Sequence, residues 1–163
     1  MMTARGLLGT PPRDFAHDLS RSELGRGPEV FAAAREAFQK WEQFDLGWVQ
    51  VVNPTARIAP GELVGVEART ACLWSVNFSR VVDIMDEPAC FGFMYMTTAF
   101  HVEEGQERFI LHLDPETGAV TYLIEALSRP RNLLARLGYP FSRAAQHRFA
   151  RDSHARMKRH LQK

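Results

Sequence analysis

The pattern of hydrophobic and polar positions is dominated by one apolar run at the start of the stretch 90–109. The run itself, residues 90–96, carries no charge and is rich in aromatic side chains, which is typical of a strand covered on both faces. His101 and an acidic segment at 103–105 follow, and they predict a turn into a second strand at 107–113. We therefore expect core, polar edge and the mouth of a ligand pocket to coincide within this stretch.

Upstream of this run the period of the pattern is first absent and then helical. Residues 1–27 show no sustained period, and we interpret them as a tail followed by a loop. Proline at the first helical position predicts a helix that begins at Pro28 and ends at 45–47. Its apolar positions recur at three- and four-residue steps; they are Val30, Phe31, Ala34, Phe38, Trp41 and Phe44.

Short stretches rich in β-branched and aromatic residues, separated by turn signals, predict the remaining strands. These lie at 48–52, 63–69, 71–86 and 119–126, with a bulge expected at Asn77 or Ser79. Residues 128–130 are expected to stop the sheet. Because short turns join consecutive strands, we predict an antiparallel meander of about six strands.

The C-terminal part of the chain returns to a helical pattern. A short helical turn is predicted at 132–136, an interruption at 138–140, and a long helix at 141–161. The small or apolar positions of that helix lie four residues apart; they are Phe141, Ala145, Phe149, Ser153, Met157 and Leu161.

These elements predict an α+β fold, in which a curved antiparallel sheet packs on the long C-terminal helix and one further helix lies near the N-terminus. We expect a flexible tail at 1–14 and a single domain at 15–163, since 163 residues suffice for one self-sufficient core. One narrow helical stripe does not fill the concave face of a curved sheet. The remaining space is expected to be a cavity lined by aromatic and methionine side chains.

Charge is distributed unevenly, although the net charge is only +1. From Arg131 onward nine Lys/Arg stand against one acid, a net charge of +8, whereas the preceding part has eleven Lys/Arg against eighteen acids, a net charge of −7. This asymmetry favours a basic C-terminal helix lying against an acidic body. The alternative is a face that binds a polyanion.

Cysteine usage and hydropathy favour a cytoplasmic protein. Cys72 and Cys90 both lie in apolar, strand-like runs, which is typical of buried thiols in a reducing compartment. No segment approaches the ~20 apolar residues that a membrane helix needs, and the N-terminus has no signal-peptide core.

Several short segments, in this order, resemble an uncharacterised bacterial and plant family that is known only as a domain of unknown function and is similar to the START/Bet v 1-like helix-grip proteins. The resemblance covers roughly residues 15–157. Its segments are Leu24-Gly25-Arg26-Gly27, Leu46-Gly47-Trp48, Asn77 with Arg80-Val81-Val82, Asp86-Glu87, Phe91-Gly92-Phe93 with Tyr95, His101 with Gly105 and Glu107-Arg108-Phe109, Ser128-Arg129-Pro130, and Leu137-Gly138-Tyr139-Pro140 with Arg143, Gln146 and Phe149.

The resemblance implies a helix-grip fold but no activity. This chain departs from the family pattern at 96–100, where the family has Gly-Thr and a Leu-Pro-Gly turn. It departs again at Gln106, where the family has glutamate. If the turn shapes the mouth of a pocket, these departures mark where ligand preference differs.

Catalytic and metal-binding motifs are mostly absent from the sequence. It contains no G-x-S-x-G, no G-x-x-x-x-G-K-[ST] and no H-E-x-x-H, and its six histidines lack ligand spacing. We therefore expect neither a metal nor another cofactor.

Polar residues beside the apolar run supply the candidate site. The candidates for ligand binding are Arg80, Phe93, Tyr95, His101, Glu107 and Arg129. Glu107 and Arg108 must point to opposite faces of their strand, so at most one of them faces the cavity. In the competing interpretation Glu103 and Glu104 form a solvated turn, while Arg80, Arg129 and Arg143 tie the end of the sheet to the final helix.

The function favoured by these features is binding of a small hydrophobic molecule, such as a lipid, an isoprenoid or an aromatic compound. One alternative is a cyclase- or hydrolase-like enzyme that uses Tyr95, His101 or Glu107 on such a ligand. Another is an interaction module whose basic helix binds an acidic partner or nucleic acid, although nucleic acid is the less favoured partner because the net charge is small.

Overall fold

A computed structural model describes residues 14–70, 73–99, 103–130 and 133–162. The described chain has seven strands, two α-helices and one 3-10 helix. The elements are β1 (Ala16–Arg26), α1 (Pro28–Gln39), a 3-10 helix (Glu42–Phe44), β2 (Val49–Val51), β3 (Leu63–Thr70), β4 (Leu73–Glu87), β5 (Cys90–Thr97), β6 (Glu103–Leu113), β7 (Ala119–Pro130) and α2 (Leu133–Leu161).

All the strands belong to one antiparallel sheet, in the order β1-β7-β6-β5-β4-β3-β2. The predicted meander is confirmed for β2 to β7. The predicted α+β architecture is also confirmed, with one strand more than the six expected.

The additional strand is β1, and the loop predicted for that part of the chain is wrong. β1 pairs with β7 from Ala16 opposite Ser128 to Arg26 opposite Ala119. It is an edge strand in which polar residues occupy both faces, so it has no apolar period to detect. Its place in the sheet depends on backbone pairing with a strand about a hundred residues later.

The bounds of β6 and β7 and the place of the bulge in β4 also differ from the prediction. β6 begins at Glu103, so the predicted turn at 103–105 is part of a strand. β7 continues to Pro130 instead of stopping before 128, because Ser128 and Pro130 pair with Gly105 and Glu103 of the lengthened β6. The bulge of β4 lies between Val81 and Asp83 rather than at Asn77 or Ser79.

α1 is shorter than predicted, and α2 is longer than predicted. α1 begins at Pro28 as predicted but ends at Gln39, where Trp41 adopts a left-handed conformation and turns the chain into the 3-10 helix. α2 runs through Pro140, so the interruption predicted at 138–140 is wrong. An interior proline costs about 3 kcal/mol, which the packing of a 29-residue helix offsets.

We define the inner face of the sheet as the face that packs against α1 and α2. It carries large side chains at one end and small side chains at the other. At one end, Phe31, Phe38 and Trp41 of the α1 region pack against Phe91 and Phe93 of β5 in the main core. At the other end the inner positions of β4 to β7 are small or polar; they include Ser75, Asn77, Ser79, Thr97, Gly105 and Ser128. The core is therefore solid under α1, and the other end has too little side-chain volume to fill the space beneath α2.

Candidate functional site

One row of residues across the sheet marks the boundary between the solid core and the open end. Val81 pairs with Tyr95, Tyr95 with Glu107, Glu107 with Ala126, and Ala126 with Asp18. The neighbouring row on the core side pairs Phe93 with Phe109 and Phe109 with Ile124. Polar groups therefore begin where the aromatic core ends.

Beyond this row lies a cavity of about 720 Å³ between the sheet and α2, which we call the main cavity. This volume is within the range of small-molecule sites. Its described apolar lining is Phe44, Trp48, Val49, Val66, Ala68, Tyr95, Leu127, Phe141, Ala145 and Phe149. Small polar side chains and Glu103 and Glu107 complete the described wall, as in pockets where a few polar groups orient an apolar ligand.

Tyr95 donates a hydrogen bond from its phenol to Oε2 of Glu107. The Tyr95 ring is buried and lies 5.5 Å from the Phe109 ring and 6.2 Å from the Phe93 ring, measured between centroids. Oε1 of Glu107 has no hydrogen-bond partner among the described residues. The aromatic core thus fixes a tyrosine–carboxyl pair whose second oxygen remains available to a ligand.

Burial raises the pKa of the Glu107 carboxyl to about 7, and the nearby charges of Glu103 and Asp18 act in the same direction. The hydrogen bond from Tyr95 opposes this shift. Burial, followed by the charge of Glu107, also raises the pKa of Tyr95 well above its usual value. Near neutral pH, Glu107 is therefore divided between its acid and base forms, whereas Tyr95 keeps its proton.

Glu103 is buried, which contradicts its interpretation as part of a solvated turn. Its carboxylate accepts hydrogen bonds from the Ser142 hydroxyl and, at 2.7 Å, from the Gln146 amide, both on α2. The same amide is 3.2 Å from the Ser128 hydroxyl of β7. Glu103 therefore links α2 to the rim of the main cavity by hydrogen bonds. Glu104, on the opposite face of the sheet, is about half exposed and pairs with Arg129.

A second cavity of about 470 Å³ lies between β1 and α2 and shares Glu107, Gln146 and Phe149 with the main cavity. At its edge Ser20 and Nε2 of His154 are 2.8 Å apart. Burial lowers the pKa of His154 to about 4, so this imidazole is neutral at pH 7 and a weak base. A buried Nδ1 without a hydrogen-bond partner leaves the histidine without the orienting acid of a catalytic triad. The Ser20–His154 contact thus fastens β1 to α2.

The structure brings together only part of the candidate set. Tyr95 and Glu107 form the polar pair in the main cavity, and Phe93 is fully buried in the core beside them. Arg80 is exposed and donates to the Gly61 carbonyl at 2.7 Å, so it does not line the main cavity. His101 lies outside the described residues.

Arg129 does not line the main cavity either, because its guanidinium is engaged elsewhere. It pairs with Asp14 and Glu104, and it lies 4.7 Å from the centroid of the Phe15 ring. The described lining of the main cavity therefore does not support Arg129 as a ligand-binding residue.

Arg108 confirms that neighbouring residues of β6 face opposite sides of the sheet. It is buried on the outer face, where it donates to Glu125, and Glu125 lies 2.7 Å from Nε2 of His17. Burial lowers the pKa of Arg108, while the charges of Glu125 and Asp83 oppose this shift. This buried group is a structural element of the outer face, separate from the main cavity.

Two arginines of α2 pair with acidic residues of the rest of the chain. Arg143 pairs with Asp18 of β1, and Arg156 pairs with Glu42 and Asp45 beside the 3-10 helix. Nε1 of Trp48 donates to Asp152 of α2 at 3.0 Å. These contacts favour internal compensation of charge over a polyanion-binding face.

The described ranges contain no group of three or more His, Cys, Asp or Glu that could hold a metal ion. Among the helices described here, none is long and apolar enough to cross a bilayer. Cys90 is buried in a small cluster with Met85, Ile110 and Leu123, whereas Cys72 lies outside the described residues.

Sequence reasoning missed Glu103 and Gln146 as parts of the site. Strand parity contained the signal for Glu103, because Glu103, Gly105, Glu107 and Phe109 fall on one face if β6 begins at 103. For Gln146 no local signal existed, since its role depends on where α2 docks.

Comparison with known proteins places the chain in a family and a fold. A family model matches residues 2–156. A UPF0548 protein of Dictyostelium discoideum is 36% identical over 151 residues, which cover 86% of this chain and 70% of that protein.

Among solved structures, the Zhui aromatase/cyclase from Streptomyces sp. R1128 superposes with a TM-score of 0.61 at 12% identity, covering 91% of this chain and 94% of that chain. Ara h 8.0201 superposes with a TM-score of 0.53 at 13% identity, covering 90% and 97%. At such identities the likeness shows the fold alone, which is the Bet v 1-like helix-grip fold expected from the sequence. The chain belongs to the family described as a domain of unknown function (DUF1990).

Proposed function

We propose that this protein binds a small hydrophobic molecule in the main cavity and that the Tyr95–Glu107 pair anchors the polar end of that molecule. The observation that carries the proposal is the carboxyl of Glu107, which lines a largely apolar cavity and has one oxygen without a partner among the described residues. This oxygen faces the main cavity, where a hydrogen-bond donor on a ligand would complete its hydrogen bonding. A ligand with an apolar body and a polar end supplies both contacts.

The fold supports this proposal without identifying the ligand. A lipid, an isoprenoid and an aromatic compound are all compatible with an aromatic-lined volume of about 720 Å³. Phe44 and Phe149 line the main cavity with their ring centroids 5.2 Å apart, and the core residue Phe109 packs behind both of them. Such rings favour flat or conjugated bodies.

Native mass spectrometry of the purified protein, together with titration of the neutral dye Nile red, tests the proposal. Asn77→Phe fills the main cavity from β4, and Val76→Phe adds the same ring on the outer face, where Val76 is 48% exposed. We expect bound ligand and dye in the parent protein and in Val76→Phe, and loss of both in Asn77→Phe. A parent protein that binds neither ligand nor dye refutes the proposal.

A second candidate function is acid–base chemistry on the bound molecule. A carboxyl with a pKa of about 7 exchanges protons efficiently near neutral pH, which favours Glu107 as a general acid or base. The similarity to a protein named as an aromatase/cyclase supports cyclisation as one reaction to test. Glu107→Gln is expected to abolish turnover of a cyclisable substrate while leaving its binding intact. Equal turnover in the variant excludes this candidate.

A further inference from the structure

The described wall of the main cavity carries acidic groups and no basic side chain. Glu103 and Glu107 line it, whereas no lysine, arginine or histidine is among the described lining residues. The remaining polar lining groups are neutral hydroxyls and amides, such as those of Thr97, Ser142 and Gln146. A ligand that enters this cavity therefore meets an acidic wall.

The described basic side chains that border these acids lie outside the main cavity. Arg143, whose pKa is raised in part by the charge of Glu103, is one of them, and those that line the second cavity are Arg21, His147, Arg151 and His154. Arg143 pairs with Asp18, and His147 lies 3.5 Å from the same carboxylate. On the outer face, Arg108 pairs with Glu125. The charge of Glu107 is thus opposed mainly by the hydrogen bond from Tyr95.

The two acids differ in what they offer a ligand. Glu103 already accepts from Ser142 and Gln146. Glu107 accepts only from Tyr95 among the described residues, and that bond uses the phenol hydrogen. At its inner end the main cavity therefore offers hydrogen-bond acceptors, and a carboxylate placed there would face like charge.

We infer that the main cavity selects a hydrophobic molecule whose polar end donates hydrogen bonds, an amine above a hydroxyl, and that it rejects one ending in a carboxylate. This inference rests on the proposed function, because it concerns the ligand of the same cavity. A protonated amine gains a charge-assisted hydrogen bond to Glu107, and such bonds are about twice as strong as neutral ones. A hydroxyl gains a neutral bond, while a carboxylate loses its hydration and gains repulsion.

The preference depends on pH through Glu107. As the pH rises through about 7, Glu107 ionises, so amine binding tightens and carboxylate binding weakens. Other titratable groups face the same region from the surrounding elements. Among the described residues they are Asp18 and Arg21 of β1, Tyr95 of β5, Glu103 of β6, Tyr122 of β7, and Arg143, His147, Arg151 and His154 of α2. His147 is exposed, lines the second cavity and pairs with Asp18.

Calorimetric titration with naphthylethylamine, naphthylethanol and naphthylacetate tests the inference, since these probes share one aromatic body. At about pH 8 we expect the amine to bind at least about ten-fold more tightly than the carboxylate, with the alcohol between them. Glu107→Gln is expected to remove most of that difference, because glutamine carries no charge. Glu104→Gln, three residues earlier on β6 and paired with Arg129 on the opposite face, should leave all three affinities unchanged.

The outcomes separate the inference from the proposed function. A carboxylate that binds as tightly as the amine, or a preference that survives Glu107→Gln, overturns the inference alone. Failure of all three probes in a protein that still binds Nile red also overturns it alone. A protein that binds neither the probes nor the dye overturns the proposed function as well. Circular dichroism and thermal unfolding establish that each variant remains folded.

Discussion

Tyr95 on β5 and Glu107 on β6 are directly paired across the sheet, and the Tyr95 phenol donates its hydrogen bond to the Glu107 carboxyl. On one side of the pair lies the packed aromatic core, and on the other lies the main cavity. The packed core fixes the position of the Tyr95 ring, and the Tyr95 phenol fixes the Glu107 carboxyl through its hydrogen bond. Stability therefore depends on this pair, and so does the ligand recognition that we propose.

The stability of the Glu107→Gln variant relative to the parent protein should increase as the pH rises. The folded-state pKa of about 7 lies above the usual 4.5, so the stabilising contribution of this carboxyl is complete below about pH 4.5 and is lost as the pH rises through about 7. We compare the free energy of unfolding of Glu107→Gln with that of the parent at low pH and again above that range. The difference should shift in favour of the variant by about 1–3 kcal/mol. Denaturant unfolding at several pH values measures this, and a pH-independent difference would contradict it.

Replacing Tyr95 with phenylalanine should weaken the fold and raise the pKa of Glu107 further. The ring contacts persist, but the hydrogen bond that lowers the pKa of the carboxyl is lost. We expect a loss of about 1–3 kcal/mol above pH 7. Tyr122→Phe, which loses the hydrogen bond of Tyr122 to Ser153, is the matched control, because it should cost stability without moving the Glu107 titration. Carbon-detected NMR of the Glu107 carboxyl distinguishes the two variants.

Breaking the buried Arg108–Glu125 pair should cost more stability than breaking an exposed ion pair. Both side chains are at most 1% exposed, so Glu125→Gln leaves a buried guanidinium without this carboxylate and should cost about 3–5 kcal/mol. The exposed Arg129–Glu104 pair provides the comparison, and Glu104→Gln should cost at most about 1 kcal/mol. Equal losses from the two variants would mean that burial does not determine the contribution of this pair.

Gly105 should not tolerate a methyl group, because β6 and β7 approach closely at this residue. An added Cβ would lie 2.1 Å from the Leu127 carbonyl oxygen and 2.9 Å from Cα of Ser128. Both are backbone atoms, so Gly105→Ala must separate the strands beside the main cavity and should cost about 1–3 kcal/mol. Glu104→Ala, one residue away with its side chain half exposed, is the control and should cost at most about 1 kcal/mol. Chemical denaturation compares the two, and a neutral Gly105→Ala would contradict the close approach.

Periodicity predicted the elements whose own side chains require burial. The aromatic stripe of α1 and the aromatic residues of β5 lie in the core, as expected, whereas Met96 at the end of the apolar run is 46% exposed. In the same way, strand parity predicted that Glu107 and Arg108 face opposite sides of the sheet, because alternation is a local property of an extended backbone.

The other features of the fold and of the site depend on contacts between residues that are distant in the chain. β1 has no apolar period, and it is a strand because its backbone pairs with the edge of β7. Glu103 is buried because Ser142 and Gln146 of α2 donate hydrogen bonds to it. The sequence by itself determined which side chains avoid water, and hence the antiparallel sheet and the solid end of the core. Only the tertiary structure decided which polar groups are buried beside them, because a polar group is buried only where another element supplies its hydrogen-bond partner or leaves a cavity for a ligand to do so.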